Sequence, residues 1–235
     1  MDKERIKTLN GLSEMLGYTF SDTALLDLAL THGSHANENP DLVRGDNERL
    51  EFLGDAVLQL CISDMLTERF LEYTEGQLSK ARAFMVNEQA LAGLARQYRI
   101  GEFMLLGRGE EKAEGRNKDS ILGDAFESLI GAIYLDGGYK AAFGFIRRAF
   151  QAPVDEWAQK PVYRDYKSLL QETSQIRFRE IPRYRIIGTS GPDHDKTFEI
   201  EACIGDSIVT TGTGKNKKEA EQDAARKALE KLDEM

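Results

Sequence analysis

Cysteine, histidine and long apolar runs are all scarce in this chain. Its two cysteines, Cys61 and Cys203, lie far apart in 235 residues, each within an apolar pattern. That usage predicts reduced core thiols in a cytoplasmic protein rather than a disulfide framework. The lone histidines His32, His35 and His194 have no metal-ligand spacing with the cysteines, which argues against a zinc site. No apolar stretch approaches the roughly eighteen residues that a membrane span needs. The opening Met1-Asp2-Lys3-Glu4-Arg5 leads into charged helical sequence and lacks the apolar core of a secretory signal. There is no internal repeat and no low-complexity tract.

A formal charge of −9 argues against a nucleic-acid partner only if it is taken globally. Residues 162–235 carry 13 basic against 14 acidic side chains, whereas the first 161 carry 18 against 26. Acidity is therefore concentrated in the N-terminal part, where bound cations would offset some of it. Local patches carry more information than the net value.

The acidity has a pattern. Asn47-Glu48-Arg49-Leu50-Glu51-Phe52-Leu53-Gly54-Asp55 reads as a helix, and at about 100° per residue Glu48, Glu51 and Asp55 share a sector roughly 60° wide. Leu50, Leu53, Val57, Leu60 and Cys61 cluster on the opposing side as the expected core stripe. Like charges at these spacings are unfavourable without a cation. Taken alone, the spacing is also that of a solvated acidic face. Phe52 lies off both the carboxylate sector and the leucine stripe, as an interface anchor would.

A second cluster changes the balance. Asp124 and Glu127 stand in Ile121-Leu122-Gly123-Asp124-Ala125-Phe126-Glu127-Ser128-Leu129-Ile130-Gly131-Ala132-Ile133, apolar nearly all round and so read as a buried helix. Ionised carboxylates there need a partner or a metal. Gly123 and Gly131 flank the acidic sector and leave room for another backbone or a ligand. Glu51, Asp55, Asp124 and Glu127 together form an all-oxygen set suited to a hard divalent cation such as magnesium. The competing reading pairs one carboxylate with Arg49 or Lys118 and leaves the others exposed.

Periodicity predicts helices over 8–16, 22–31, 47–70, 75–84, 88–98, 120–135 and 138–151. Ser21-Asp22 and Asn87-Glu88 supply N-cap chemistry. Loops are expected over 32–46 and 107–119; the second delivers Lys118 and Ser120 to the acidic helix and reads equally as a substrate-side loop or a surface linker. Pro153 and Pro161 bracket a hinge. The domains expected are 1–152, a linker over 153–161, and 162–235. The last reads as a helix over 165–175, strands over 183–187, 197–204 and 207–211, and a helix over 217–232. In the second strand Phe198, Ile200, Ala202 and Ile204 share one face; in the final helix Ala220, Ala224, Ala225, Ala228, Leu229 and Leu232 form the apolar stripe. Gly212-Thr213-Gly214-Lys215 is not a nucleotide loop, because Val209 occupies the first glycine position and Asn216 the Ser/Thr position.

The two acidic motifs, Asn47 to Asp55 and Asp124-Ala125-Phe126-Glu127, resemble those of the bacterial ribonuclease III family. The segment Gly212-Thr213-Gly214-Lys215-Asn216-Lys217-Lys218-Glu219-Ala220, leading into Ala224-Ala225, resembles its double-stranded-RNA-binding domain. The resemblance implies an all-α endonuclease domain followed by an α+β domain of order α-β-β-β-α. It implies a homodimeric, magnesium-dependent endoribonuclease of double-stranded RNA, with manganese able to replace magnesium and no nucleotide cofactor. Glu51, Asp55, Asp124 and Glu127 would hold the metal, Asp55 and Glu127 would carry the reaction, and Glu48 and Glu75 would have supporting roles, either structural or substrate-orienting. Gln171, His194, Lys215, Lys217 and Lys218 would contact the duplex, reading its shape more than its sequence. Asn216 departs from the serine common there. Phe52 would pack into the partner subunit, and paired sites would leave short 3′ overhangs, with precursor ribosomal RNA as a substrate. The alternatives are a double-stranded-RNA-binding protein whose helical domain only dimerises, and an RNA chaperone or translational regulator. The intact carboxylate set separates the enzyme from the first of these, and the second leaves the helical domain unexplained.

Overall fold

The computed structural model describes residues 2–41, 45–159, 166–192, 196–205 and 208–233. The chain divides into two compact units, 1–157 and 158–235.

The first unit is helical: α1 Lys3–Leu16, α2 Thr23–Ala29, α3 Gly33–Glu38, α4 Glu48–Arg69, α5 Glu75–Met85, α6 Glu88–Gln97, α7 Ile100–Phe103, α8 Arg108–Lys112, a 3-10 turn at Gly115–Asn117, and α9 Asp119–Gln159. Short polar side chains start several of these, as their capping chemistry predicts. Asp22 accepts from the Ala24 N–H at 2.9 Å, and Asn87 from the Ala90 N–H at 2.9 Å. Asp136 of α9 clamps the entry to α2, accepting from the Tyr18 hydroxyl at 2.7 Å and from the N–H groups of Ser21 and Asp22 at 2.9 and 2.8 Å.

Two expected loops contain helix. Residues 32–46 include α3, which His32 caps, and 107–119 include α8 and the 3-10 turn. Arg116 organises the second segment by donating to the carbonyls of Gly101 and Met104 at 2.7 and 2.8 Å. The expected helices over 120–135 and 138–151 run together as α9, broken at Gly138, whose φ of 73° suits glycine. α9 continues through Pro153 to Gln159, across residues expected to begin the linker. Val154 and Trp157 are buried, and the Trp157 ring lies 4.9 Å from that of Phe84. That burial holds the last turns in a helix that proline alone disfavours.

The core centres on α4 and α9, where Leu58, Cys61, Ile62, Phe126, Ile130 and Ile133 are fully enclosed. One expectation fails here. Leu60 is 57% exposed, while Leu58 and Ile62 are buried in its place. The buried arc of α4 is thus turned toward the carboxylate sector, because α9 packs along that edge. Among the described residues, no helix is long and apolar enough to cross a membrane.

The second unit is α10 Tyr166–Phe178, β1 Arg183–Ser190, β2 Thr197–Ile204, β3 Ile208–Gly214 and α11 Lys217–Asp233. The strands form an antiparallel sheet of order β1-β2-β3, irregular between Ile186 and Gly188. Its helix-facing side meets α10 and α11 through Leu170, Ile204, Ile208, Ala225, Ala228 and Leu232. Gly212 allows β3 to approach α11, since a methyl group there would lie 2.1 Å from the Ala224 nitrogen. Cys61 is a buried free thiol as expected, but Cys203 is not a core residue. It alternates with the buried Ala202 and Ile204 and sits by Glu201, its Sγ 3.3 Å from that carboxylate.

Candidate active site

The site arises where α4 and α9 touch backbone to backbone. A methyl group at Gly54 would lie 1.8 Å from the Glu127 carbonyl oxygen, and one at Gly131 would lie 2.2 Å from that of Leu50. Only glycine permits such contact. Gly131 therefore leaves room for a backbone, as its position in the acidic helix suggests. Gly123 does not act this way, for a methyl group there would make ordinary contact, at 3.7 Å, with the Glu88 carbonyl. The counterpart on α4 is Gly54. The Ser128 hydroxyl adds a buried bond to the Asn47 carbonyl at 3.1 Å, fixing the start of α4 against α9.

This contact sets Glu51 and Asp55 facing Asp124 and Glu127. Burial, then the charges of Asp55, Glu51 and Asp124, push the Glu127 carboxyl up to about 7. Glu51 is raised by burial and then by Asp124, Glu48 and Asp55; Asp124 is raised by burial and then by Glu88. Asp55 accepts from the Gln59 side chain at 3.1 Å. Among the described residues no Lys or Arg pairs with any of the four, and Lys118 pairs with Glu110 instead. No three acidic, His or Cys side chains among them converge closely enough to hold one ion. The donor set nevertheless fits a divalent cation, being all oxygen, partly desolvated and mutually repelling.

Glu48 stands beside Glu51, on the exposed first turn of α4. Glu75 opens α5 and accepts from the Ser79 hydroxyl at 2.8 Å; it is not among the groups that perturb Glu51, Asp124 or Glu127. Two members of this charge neighbourhood were missed in the sequence. Glu88 at the start of α6 acts on Asp124, and His32 at the start of α3 counters it. Neither shares a helix with the acidic motifs, so no spacing signals them.

Phe52 is 82% exposed. It borders an open groove of about 1020 Å³ lined by five leucines, Leu25, Leu28, Leu50, Leu53 and Leu135, and by the charged Asp46, Glu48 and Arg49. With Leu60 and Leu135 also exposed, the apolar face on this side of α4 is broader than one aromatic. In the second unit Gln171, Lys215, Lys217 and Lys218 are exposed. Asn216 caps α11, accepting from the Glu219 N–H at 2.9 Å, which accounts for asparagine at that position. His194 lies outside the described residues.

A helical unit with an acidic cluster, joined to an α-β-β-β-α unit with a basic turn, is the architecture of a nuclease of the duplex-RNA class. The family described as Ribonuclease-III-like matches residues 22–154, and the double-stranded RNA binding motif matches 166–232. Ribonuclease 3 of Syntrophobacter fumaroxidans is 46% identical over 94% of this chain and 93% of its own. That of Pseudothermotoga lettingae is 41% identical over 99% of both. A solved structure of the Campylobacter jejuni ribonuclease III nuclease domain, described as flexible in a region involved in its dimer formation, superposes with a TM-score of 0.57. It is 42% identical and covers 61% of this chain and 96% of its own. The chain belongs to the ribonuclease III family and is a hydrolase of RNA.

Proposed function

We propose that the chain is a magnesium-dependent endoribonuclease that cuts double-stranded RNA as a homodimer. The observation that carries this reading is the cluster of Glu51, Asp55, Asp124 and Glu127, partly buried on two touching helices and without a paired Lys or Arg among the described residues. Such a set is costly without a counter-charge, and its hard oxygen donors suit magnesium, with manganese as substitute. Two divalent ions held there would supply an activated water and a stabilised leaving 3′-oxygen. Asp55 and Glu127 carry the reaction on this reading, Glu51 and Asp124 complete the ligands, and Glu48 supports Glu51. Glu75, which accepts from Ser79, keeps two readings, structural or substrate-orienting.

The unit over 1–157 would form the catalytic and dimerising part and the unit over 158–235 the RNA-binding part. Lys215, Lys217 and Lys218 flank the N-terminus of α11, where the helix dipole and free N–H groups favour phosphate. With Gln171 and His194 they would hold an A-form duplex by shape. Phe52 would enter the leucine-walled groove of a second copy, placing two acidic sites across a two-fold axis to cut opposite strands and leave short 3′ overhangs. Precursor ribosomal RNA and other structured transcripts in the cytoplasm are the substrates we propose.

The test is Glu127→Gln and Asp55→Asn on a long RNA duplex with magnesium. Cleavage should collapse in both while duplex binding persists. Unchanged turnover in both would remove the cluster from the chemistry.

A further inference from the structure

His32 is pinned to the helix that carries half of the acidic cluster. Its N–H donates to the Leu105 carbonyl at 3.1 Å, and the carbonyl of Thr31 before it accepts from Asn47 at 2.9 Å, at the entry to α4. On the other side, a methyl group at Gly33 would lie 3.5 Å from the Glu48 carboxylate. The backbone at 31–33 is thus held against the first turn of α4.

The ring is oriented as firmly. The Ser34 N–H donates to His32 Nδ1 at 3.2 Å, and the Ser34 hydroxyl oxygen lies 2.8 Å from the same atom. That hydroxyl oxygen already accepts from the Gly107 N–H at 2.9 Å, so its own proton is available to Nδ1. A backbone N–H can only donate, so Nδ1 acts as the acceptor and the ring proton sits on Nε2. Nε2 has no hydrogen-bond partner among the described residues. The ring lies near enough to both Asp124 and Glu110 to interact with each of them. The ring is therefore within electrostatic reach of the cluster.

We propose that His32 contacts the substrate, its Nε2–H donating to a phosphate oxygen of the RNA strand that enters the acidic cluster. The proposal rests on that cluster being the active site. A polyanion brought against carboxylates needs donors fixed beforehand, because a preorganised donor requires no rearrangement during the reaction. The competing role is structural: His32 is the N-cap of α3 and nothing more.

Two substitutions separate these roles. His32→Asn keeps a short capping acceptor, among the best at an N-cap, and loses the distant donor. His32→Gln keeps an amide N–H near the Nε2 position and loses the cap geometry. Single-turnover cleavage of a defined RNA duplex in magnesium is measured beside thermal melting, with Asp124→Asn in the same assay. A phosphate contact predicts that His32→Asn melts like the wild type but cleaves roughly 10- to 100-fold more slowly, the range for a lost hydrogen bond to a charged group. His32→Gln should recover part of that rate although it melts lower. His32→Asn cleaving at the wild-type rate, or His32→Gln cleaving more slowly than His32→Asn, would overturn the proposal. If Asp124→Asn is inactive in that case, the active site stands and only His32 is misassigned. If Asp124→Asn cleaves normally, the cluster itself is not the site, and the proposal falls with it.

Discussion

Gly54 of α4 meets the Glu127 carbonyl of α9 so closely that even a methyl group would lie 1.8 Å from the oxygen. The backbone contact and the acidic cluster are therefore one feature. Gly54→Ala should force the helices apart and destabilise the protein by about 1–3 kcal/mol, outweighing the up to ~1 kcal/mol that alanine gains in a helix interior. Gly123→Ala makes only ordinary contact and should be neutral or slightly stabilising. Urea unfolding of the two variants checks this. Equal stability of Gly54→Ala and the parent would mean that the helices do not touch.

Crowding of Glu127 has a thermodynamic consequence. Its folded value, about 7, lies above the ordinary 4.5, so the folded state holds this proton more tightly than the unfolded chain does. The resulting stability is complete below the ordinary value and is lost as pH rises through about 7. At about pH 8 in chelator, Glu127→Gln should be the more stable protein by on the order of 1 kcal/mol, allowing for solvent screening of a partly exposed group. The advantage should shrink toward about pH 4. Added magnesium should raise the wild-type melting temperature more than that of the variant. Parallel melting curves across this range would show that Glu127 is not crowded by its neighbours.

Phe52 is too exposed to serve a monomer's core. Phe52→Ala should weaken the proposed dimer by roughly 2 kcal/mol or more per copy, as loss of a central aromatic anchor does. Sedimentation across a dilution series should show dissociation at higher concentration than for the parent, with cleavage falling in step. Leu60→Ala, on the same face, should act in the same direction but less. A variant as firmly dimeric as the parent would place the interface elsewhere.

Lys217 and Lys218 stand exposed at the start of α11. Replacing both with alanine should weaken duplex binding alike for every sequence and reduce the salt slope by about 1 per lysine lost. Binding titrations at several salt concentrations on two unrelated duplexes measure this. A loss confined to one duplex would contradict recognition by shape.

What the sequence determined alone is local. The carboxylate spacings depend only on helix pitch, the caps at Asp22 and Asn87 only on a side chain reaching the next turn, and the alternation in β2 only on pleat geometry. These interactions join near neighbours in the chain, so their pattern is written along it. The tertiary structure decided what depends on a second element. Packing of α9 selected which arc of α4 is buried, exposing Leu60 and enclosing Leu58 and Ile62. Burial of Val154 and Trp157 carried the helix past Pro153. Above all, the match of Gly54 to the Glu127 carbonyl, and of Gly131 to that of Leu50, converted two acidic motifs into one cluster. Each glycine is visible in the sequence, but neither names its counterpart, because close approach belongs to the pair of helices rather than to either one.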